Sequence, residues 1–231
     1  MAELLFPAPE VRTVPVEGTE ALYPVHRIFC VGRNYAAHAA EMGAEVDREA
    51  PFYFTKSLSA LALSGQVQPY PPGTSDYHHE VELAVALGAG GFRVSVDEAG
   101  AMVFGYAAAL DMTRRDLQAR AKDKRRPWDL GKDVEGSAVL APLTRADDFA
   151  PGTQRIHLAV NGETRQDGRL DEMVHSVPEI IADLSLYYHL RAGDVILTGT
   201  PAGVGSVTPG DRLTGGVEGL QPISLTLGPA L

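Results

Sequence analysis

Cysteine is nearly absent from the 231-residue sequence, which has only Cys30 and therefore cannot form an internal disulfide. A chain without disulfides suits a reducing compartment, and we expect a cytoplasmic protein. Cys30 lies within a short apolar run and is interpreted as a core residue, not as a nucleophile. The amino terminus lacks a basic stretch followed by an apolar one, and no apolar run reaches the roughly 18 residues that a membrane-spanning helix needs. The sequence therefore predicts neither a signal peptide nor a transmembrane helix.

Positive charge is also scarce. The chain has 20 Lys and Arg residues against 30 Asp and Glu residues, a formal net charge of −10. This excess of acid argues against nucleic acid or an anionic membrane surface as a partner. An anionic substrate would have to be held by a local basic site or by a metal ion. The remaining composition, with 45% hydrophobic and 22% charged residues, is typical of one globular domain with its own core.

The most informative stretch runs from Tyr77 to Leu87, where polar and apolar residues alternate. Because proline and glycine bound it on both sides, the pattern predicts a β-strand. Alternation places Glu80 and Glu82 on one face, which continues with alanines and not with further charges. A face of this kind is interpreted as half buried. Buried carboxylates repel each other and lose hydration, so they need a proton or a cation, and oxygen ligands suit a hard divalent ion such as Mg²⁺.

A third carboxylate, Asp111, stands at the end of the next apolar run, residues 104–110. An acid at the end of a buried strand is a common position for a metal ligand, so Glu80, Glu82 and Asp111 form a candidate metal site. Two alternatives stay open on local sequence alone. Asp111 is also suited to cap the polar segment that follows it as a helix, and the two glutamates fit an ordinary exposed edge strand.

Four other polar side chains are candidates for a site. His38 and Glu41 are three positions apart in a predicted helix over 33–43, so they share a face. Such a pair acts as a general base with its orienting partner, or forms a surface ion pair. Lys56 ends a β-prone run, and Lys132 follows an apolar, glycine-containing segment. Each lysine is either an ordinary solvated residue or a cation for an anionic substrate.

The carboxy-terminal third contains the clearest secondary-structure signals. Asn161-Gly162 between two β-prone runs predicts a type I′ hairpin over 155–166. Apolar spacing and a proline near the start predict a helix over 177–190. Residues 195–205 predict a buried strand that breaks into a glycine-rich loop, whose backbone N–H groups either approach a ligand or form a plain turn. At the other end of the chain, residues 1–24 predict an extended arm or a pair of edge strands.

Together these motifs resemble the fumarylacetoacetate hydrolase family. Each motif is weak alone, but the combination is specific, follows the family order and covers about residues 26–230. Within the family the chain is most similar to the acylpyruvate hydrolase subgroup, the bacterial enzymes that act on fumarylpyruvate in gentisate breakdown. The segments that match the family are Val31-Gly32-Arg33-Asn34-Tyr35 with His38 and Glu41, His79-Glu80-Val81-Glu82-Leu83, Gly105-Tyr106, Leu110-Asp111-Met112-Thr113, Arg115-Asp116 with Gln118, Lys132, Val160-Asn161-Gly162-Glu163, and Leu197-Thr198-Gly199-Thr200-Pro201 with Gly203-Val204-Gly205. The closer match to the subgroup is carried by Phe6-Pro7, residues 35–43, Asp47-Arg48-Glu49, residues 112–118 and Arg126-Pro127-Trp128.

The resemblance implies an α+β fold, a mixed β-sandwich roll of the family's C-terminal-domain type with short peripheral helices, and a homodimer. It implies an N-terminal arm over residues 1–25 and a single catalytic domain over 26–231, with a lid near 33–50. A small anionic oxo acid would be the substrate, and neither nucleic acid nor a membrane is expected as a partner.

The resemblance also implies a role for each site residue. Three acids would hold Mg²⁺ or Mn²⁺, a lysine beside the metal would balance charge, and a His–Glu pair on the lid would activate water. Further side chains and backbone groups would hold the substrate. The implied residues are, for the metal, Glu80, Glu82 and Asp111; for catalysis, His38, Glu41 and Lys132; and for the substrate, Arg33, Lys56, Arg115, Gln118, Gly199 and Thr200.

The sequence departs from the family pattern at two positions. Ser57 follows Lys56, where the related hydrolases usually have a proline. Asp133 follows Lys132, where a small or apolar residue is more usual. If the Asp133 carboxylate faced the pocket, it would compete for Lys132, so both departures concern the fit of the substrate more than the metal site.

The implied reaction is metal-dependent hydrolysis of a carbon–carbon bond in a 2,4-dioxo acid, with fumarylpyruvate giving fumarate and pyruvate. One alternative on the same scaffold is decarboxylation of oxaloacetate or of an oxo-dienedioate, or isomerisation of the latter, since a stabilised enolate serves all of these reactions. A water-activating pair separates hydrolysis from them, so the presence of both His38 and Glu41 favours hydrolysis. The other alternative is a catalytically idle binding protein, against which the complete set of acids and lysine argues.

Overall fold

The computed structural model describes residues 4–43 and 47–230. Its strands are β1 (Thr13–Pro15), β2 (Leu22–Pro24), β3 (Arg27–Gly32), β4 (Phe52–Lys56), β5 (Leu61–Leu63), β6 (Val67–Tyr70), β7 (Tyr77–His79), β8 (Val81–Leu87), β9 (Val103–Asp111), β10 (Thr113–Arg114), β11 (Ala138–Leu140), β12 (Thr144–Arg145), β13 (Arg155–Val160), β14 (Glu163–Arg169), β15 (Asp194–Leu197), β16 (Gly205–Val207), β17 (Arg212–Val217) and β18 (Ile223–Ala230). Its α-helices are α1 (Ala36–Glu41), α2 (Val96–Ala99), α3 (Arg115–Asp123), α4 (Asp129–Lys132) and α5 (Val177–Tyr187).

Two β-sheets form the body of the protein. The larger sheet has the order β4-β3-β15-β8-β9-β11-β5, with β12 paired to β9, and the smaller has the order β14-β13-β17-β18-β6. The larger sheet is mixed, because β15 runs parallel to β3 and antiparallel to β8. One hydrophobic core joins the two sheets, since Leu83 and Val85 of β8 belong to the same buried cluster as Leu158 and Leu225 of the smaller sheet. The helices are short and peripheral, as expected for the α+β fold.

A second core lies on the other face of the larger sheet. It contains Ala84 and Ala86 of β8 together with Val14 and Tyr23, which belong to the antiparallel pair β1–β2. The amino-terminal segment therefore forms the predicted pair of short strands and buries one face of the sheet. The division into an arm over 1–25, a catalytic domain over 26–231 and a lid near 33–50 stays a prediction, and residues 1–3, 44–46 and 231 within these ranges lie outside the described residues.

The predicted strand from Tyr77 to Leu87 consists of two strands. β7 pairs with β16 and β10 in a small three-stranded sheet, whereas β8 lies inside the larger sheet between β15 and β9. The break falls at Glu80, whose backbone C=O accepts a hydrogen bond from the Asp111 N–H at 2.9 Å. Every residue of β8 is buried, so the half-buried face predicted from the alternation is in fact fully buried and the exposed edge strand is ruled out. Alternation shows which residues share a face, but not that a second layer covers each face.

The hairpin and the last helix follow the sequence signals closely. Asn161 and Gly162 join β13 to β14 with φ angles of 53° and 85°, as a type I′ turn requires. Helix α5 begins at a capping box between Ser176 and Glu179 and ends at Tyr187, before the predicted end, because the next residue is already extended. No helix in the described part of the chain is long and apolar enough to cross a membrane.

A buried carboxylate anchors the first residues of β3 and β15, which lie side by side. Asp194 is fully buried and accepts hydrogen bonds from Arg27 at 2.9 Å (Nε) and 2.6 Å (Nη2). The backbone N–H of Arg191 donates to the same carboxylate at 2.8 Å, and His26 Nδ1 lies 2.9 Å from it. The charge of Asp194 therefore depends on these donors, because water does not reach it.

We expect Asp194→Asn to lower the free energy of unfolding by about 3 kcal/mol, since it breaks a buried, bidentate ion pair and leaves Arg27 without its partner. Urea denaturation followed by circular dichroism measures the change. The matched control is Asp147→Asn, because Asp147 is 84% exposed and lies 3.6 Å from Arg145. That control should cost less than about 0.5 kcal/mol. Equal losses in the two variants would contradict the anchoring role.

Candidate active site

Three carboxylates meet where β8 begins and β9 ends. Glu80 immediately precedes β8, Glu82 is its second residue, and Asp111 is the last residue of β9. The antiparallel register pairs Val81 with Leu110, which brings Asp111 opposite Glu80. Oxygen atoms of the three acids lie within 4.8 Å of one another, and each residue is between 1% and 4% exposed. The fold thus joins the three residues that the sequence singled out as a metal site.

Two cations neutralise part of this cluster. Lys132 Nζ donates hydrogen bonds of 2.7 Å to both Glu80 Oε2 and Asp111 Oδ2. The Arg115 guanidinium donates to the other oxygen of Glu80. Burial by itself would raise the pKa of Glu80, but Lys132 and Arg115 outweigh burial and hold this pKa well below its ordinary value. Burial opposes the charge of Lys132 in the same way, yet Asp111 and Glu80 raise its pKa above the ordinary value.

Glu82 is the acid that the protein neutralises least. Its Oε2 accepts a hydrogen bond of 2.7 Å from the Gly199 backbone N–H. Within residues 4–43 and 47–230, no basic side chain forms an ion pair with Glu82. Burial, together with the charges of Asp111 and Glu80, raises the pKa of Glu82 well above its ordinary value. The cluster therefore keeps three ionised carboxylates only if a further cation is close.

Asp111 carries an unused acceptor. Lys56 Nζ lies 2.9 Å from Asp111 Oδ1, but the lysine donates its hydrogen bonds to Met112 O, Ser137 Oγ and Lys132 O. As a result, Asp111 Oδ1 is buried and accepts no hydrogen bond from the described residues. The charge of Lys56 offsets part of the cost of burying this oxygen, but its lone pairs stay open to a bound cation.

These observations test whether a metal ion fits the cluster. The donor set consists of carboxylate oxygens, one of them without a hydrogen bond from the described residues and one of them on an acid whose pKa is raised. Hard divalent cations prefer such oxygen ligands, and one of them would relieve both deficits. The residues at the beginning of β8 and the end of β9 therefore fit a divalent metal ion.

A histidine faces the acid cluster from α1, which is shorter than the helix predicted over 33–43 because Tyr35 is still extended. His38 Nδ1 lies 3.4 Å from Glu41 Oε2. Burial lowers the pKa of His38 more than the charges of Glu80 and Glu41 raise it, so the imidazole is neutral at neutral pH. With Nδ1–H directed at Glu41, Nε2 is the nitrogen that can accept a proton.

The glycine-rich loop after β15 holds two of these acids by its backbone. Gly199 donates to Glu82, and the N–H of Gly203 lies 3.2 Å from both carboxylate oxygens of Glu41. Both glycines have positive φ angles, 100° and 95°. A Cβ at Gly203 would lie 2.0 Å from the Arg165 carbonyl oxygen, so only glycine fits there. The N–H groups that the sequence left to a ligand or a plain turn are directed at protein carboxylates.

Gln166, on the hairpin strand β14, connects the beginning of β8, between Glu80 and Glu82, to this loop. Its Oε1 accepts hydrogen bonds of 3.0 Å from the Val81 N–H and from His79 Nδ1. Its Nε2 donates to Thr200 Oγ1 at 2.7 Å and to Pro201 O at 2.9 Å. The side chain is completely buried and uses every hydrogen-bonding group that it has. Gln166 thus fixes the strand between the two glutamates against the loop that carries their partners.

One cavity collects most of the predicted site residues. Glu41, Lys56 and Gly199 stand behind its wall, each against a residue that lines it. Gln118 Oε1 accepts a hydrogen bond of 2.7 Å from Arg115 Nη1. The amide hydrogens of Gln118 are therefore available to an oxygen in the cavity. The predicted residues that line the cavity are Arg33, His38, Glu80, Glu82, Asp111, Arg115, Gln118, Lys132 and Thr200.

The two departures from the family pattern contact each other. Asp133 Oδ1 accepts hydrogen bonds from the Ser57 N–H at 3.0 Å and from Ser57 Oγ at 2.8 Å. The carboxylate is therefore directed at the turn after β4, while Lys132 keeps its ion pairs to Glu80 and Asp111. Competition between Asp133 and the metal ligands for Lys132 is thus not observed among the described residues.

Several residues of the cavity wall escaped the sequence analysis, among them Lys122, Phe54 and Trp128. Lys122 did carry a signal, because Arg115, Gln118 and Lys122 are spaced by three and four residues and share one face of α3. The two aromatic residues carried none, because their strand and helix come together only in the fold. Gln166 was also missed, because the residues around it in the hairpin strand are polar and indicate a solvent-exposed strand.

We expect Gln166→Leu to weaken Mn²⁺ affinity about 10-fold, as loss of a residue that orients metal ligands usually does. It should also lower the free energy of unfolding by about 2–3 kcal/mol, because the buried Val81 N–H loses its acceptor. Calorimetric titration with Mn²⁺ and urea denaturation measure the two effects. Gln154→Leu is the matched control, since the Gln154 side chain bonds only within its own loop among the described residues. Unchanged Mn²⁺ affinity in Gln166→Leu would contradict the positioning role.

Known proteins resemble this chain over nearly all of its length. The sequence model of the fumarylacetoacetate (FAA) hydrolase C-terminal family matches residues 27–227. A fumarylpyruvate hydrolase of Ralstonia sp is 53% identical over 191 residues, which are 82% of this chain and 100% of that protein. An oxaloacetate tautomerase of Escherichia coli K12 is 41% identical over 194 residues, 83% of this chain and 88% of that protein.

A solved structure agrees equally well. The crystal structure of fumarylpyruvate hydrolase from Pseudomonas aeruginosa in complex with Mn²⁺ and pyruvate superposes with a TM-score of 0.94 at 41% identity, covering 98% of this chain and 100% of that one. The α+β fold of the family's C-terminal-domain type is therefore confirmed. On the extent of the family match and the identity to its members, the chain belongs to the fumarylacetoacetate hydrolase family.

Proposed function

We propose that this protein is a metal-dependent hydrolase that cleaves the C3–C4 bond of a 2,4-dioxo acid, with fumarylpyruvate giving fumarate and pyruvate. The observation that carries the proposal is the buried Glu80–Glu82–Asp111 cluster in one cavity with the buried His38. The proposal is supported by 53% identity to a fumarylpyruvate hydrolase and by the relative that holds Mn²⁺ and pyruvate.

Glu80, Glu82 and Asp111 would hold the metal, for which we propose Mg²⁺ or Mn²⁺. When bound, such an ion supplies Lewis-acid stabilisation of negative charge on the oxygens of a 2-oxo acid. Lys132 is fixed beside Glu80 and Asp111 and adds a second positive charge at the same place. Lys56, behind Asp111, holds that ligand and not the substrate in this proposal.

The substrate is held by donors on the cavity wall. Arg115 and Gln118 stand one turn apart on α3, and the free amide hydrogens of Gln118 suit the carboxylate or the oxo oxygens of a 2,4-dioxo acid. Thr200 also lines the cavity, and its hydroxyl is fixed by Gln166. Arg33 completes the positive wall. These groups counter the overall negative charge of the protein at the one place where an anion must bind.

His38 is the proposed general base. Its Nε2 takes a proton from water while Glu41, fixed by Gly203, orients the ring and stabilises the imidazolium. The resulting hydroxide forms a bond to C4 of the substrate. The C3–C4 bond then breaks, its electron pair leaves as the enolate of pyruvate, and the acyl group becomes a carboxylic acid. Lys132 stabilises the enolate charge, and protonation at C3 gives pyruvate.

A second candidate function is isomerisation or decarboxylation of a small oxo acid, because a relative at 41% identity is an oxaloacetate tautomerase. The acid cluster and Lys132 would serve either class, since both need a stabilised enolate. Hydrolysis alone needs activated water, and the buried His38 held by Glu41 favours it. A cytoplasmic location, a homodimer and a place in gentisate breakdown stay predictions from the sequence.

We expect the protein with Mg²⁺ or Mn²⁺ to consume fumarylpyruvate rapidly and to release fumarate and pyruvate in equal amounts. Loss of the enol absorbance of the substrate, with product analysis by NMR, measures the reaction. A chelator and the variant Glu82→Gln should each abolish it, because both remove the metal. Activity on oxaloacetate and none on fumarylpyruvate would favour the second candidate function. Activity on neither would contradict both.

We expect His38→Ala to retain metal binding but to lower kcat for fumarylpyruvate by about 10²–10⁴-fold, as loss of a general base typically does. Glu41→Gln should lower kcat less, because it leaves the base in place and removes only its orienting carboxylate. Calorimetry with Mn²⁺ shows whether the metal site is intact in each variant. Normal turnover by His38→Ala would exclude the water-activating role.

A further inference from the structure

Two cations of the cavity remain after the acids have been paired. Lys132 and Arg115 are engaged by Glu80 and Asp111, as described above. Lys122 and Arg33 also line the cavity, yet neither forms an ion pair with any acid in the described ranges 4–43 and 47–230. In a protein with a formal net charge of −10, two cations without acidic partners at one cavity need an explanation.

Lys122 stands in a strongly positive environment. The side chain is half buried, and burial followed by the charges of Arg115, Arg33 and Lys132 lowers its pKa. A lysine that repels its neighbours and loses hydration is unfavourable unless an anion occupies the space between them. The same helix face that carries Arg115 and Gln118 carries Lys122, so its position follows from the spacing on α3.

The backbone of Arg33 is held in an unusual conformation. Its φ angle is 60°, in the left-handed region that non-glycine residues rarely adopt. The next residue explains how this is maintained, because Asn34 is fully buried and donates to His175 O at 3.0 Å and to Thr198 O at 2.9 Å. Strained backbone held by its surroundings is found preferentially at functional sites. The conformation therefore indicates that the fold fixes the position of Arg33 at the cavity.

Aromatic side chains line the path between the metal ligands and Lys122. Lys132 Nζ lies 4.9 Å from the centre of the Phe54 ring, and Lys122 Nζ lies 5.0 Å from the centre of the Trp128 ring. The two rings are 6.2 Å apart. Each ammonium group is thus held at an aromatic face, and the rings between them form an apolar surface. A flat, conjugated hydrocarbon segment suits such a surface.

The spacing of Arg115 and Lys122 agrees with the length of a seven-carbon dicarboxylic acid. Arg115 and Lys122 are seven residues apart on α3, which corresponds to about 10 Å along a helix axis. An extended seven-carbon chain with a carboxylate at each end spans roughly 8 Å between its carboxyl carbons, given about 1.5 Å per C–C bond. One molecule can therefore have one carboxylate near Arg115 and the other near Lys122.

We propose that Lys122, assisted by Arg33, is the specificity-determining residue that binds the distal carboxylate of a dicarboxylic 2,4-dioxo acid, whose planar acyl chain lies against Phe54 and Trp128. This inference rests on the proposed function and deepens it. It makes the enzyme selective for acylpyruvates whose acyl group ends in a carboxylate over acylpyruvates of the same length whose acyl group is uncharged. Lys122 does not touch the bond that breaks, so it acts on binding and not on the chemical step.

A competing cation stands in the adjoining groove. Arg126 lines a groove of about 410 Å³ that shares Phe54, Trp128 and Lys132 with the cavity. If the acyl chain turned into this groove, Arg126 would bind its carboxylate instead. Arg126 is exposed, whereas Lys122 is half buried and lines the same cavity as the acid cluster, so the observations favour Lys122.

The test compares fumarylpyruvate with the analogue that has a methyl group in place of the distal carboxylate. We expect Lys122→Met to lower kcat/KM for fumarylpyruvate about 10- to 100-fold, the worth of one charge-assisted hydrogen bond, and to do so through KM. For the methyl analogue, kcat/KM should change by less than about threefold, because this compound has no distal charge for Lys122 to bind. Lys122→Arg should restore most of the selectivity. Lys124→Met, on an exposed lysine two residues further, and Arg126→Met are the matched controls.

Each other result overturns the inference. Equal losses on both substrates would show that Lys122 supports the reaction or the fold and not the distal carboxylate. If the ratio of kcat/KM for the two substrates were unchanged in Lys122→Met, Lys122 would not bind the distal carboxylate. A loss of selectivity in Arg126→Met instead would lead to the same conclusion. Calorimetric binding of both dioxo acids to wild-type and Lys122→Met protein gives the same comparison without turnover. Failure of the proposed function is distinct, because the wild-type protein would then turn over neither compound.

Discussion

The burial of three carboxylates at one point of the sheet is the constraint on which the rest of the site depends. Water does not solvate Glu80, Glu82 and Asp111, so the negative charge of each carboxylate must be compensated by protein groups or by a bound cation. Counting Lys56, three basic side chains face three acids. These charges balance only in sum, because none of the three cations forms an ion pair with Glu82, and a divalent ion held by the cluster would make it positive. Such a centre would suit an anionic substrate in a protein whose formal net charge is −10.

The loop after β15 makes this arrangement rigid, because one short segment supports both halves of the site. Gly199 holds the carboxylate with the raised pKa, and Gly203 holds Glu41, the partner of the proposed base. Gln166 then fixes this loop to the backbone between the two glutamates. The distance between metal ligands and base is thus set by backbone groups and one buried amide, not by flexible side chains. Catalysis by positioned groups needs that kind of support.

The sequence predicted the elements whose signal is local. Period-two alternation identified the face with Glu80 and Glu82, and Asn161-Gly162 identified the hairpin. The sequence could not show that β8 is buried on both faces, or that the chain changes sheets at Glu80, because both depend on strands far away in sequence. Contacts such as Gly203 to Glu41, across 162 positions, have no local signal at all. Lys122 differs from these residues, because its helical spacing from Arg115 is a local signal that the sequence does contain.

The family likeness to both a hydrolase and a tautomerase has a physical explanation. Oxaloacetate and fumarylpyruvate share a 2-oxo acid with a carbon at C3 that carries negative charge when an enolate forms. Lys132, with the metal ion that the acid cluster would hold, would stabilise either enolate. The compounds differ only in what is attached at C4, and in fumarylpyruvate that group extends beyond the acid cluster. The proposed selection is therefore made farther out, on the wall formed by α3 and Trp128. A site of this design changes its substrate by changing that wall, while the buried carboxylates, which the fold cannot alter cheaply, stay as they are.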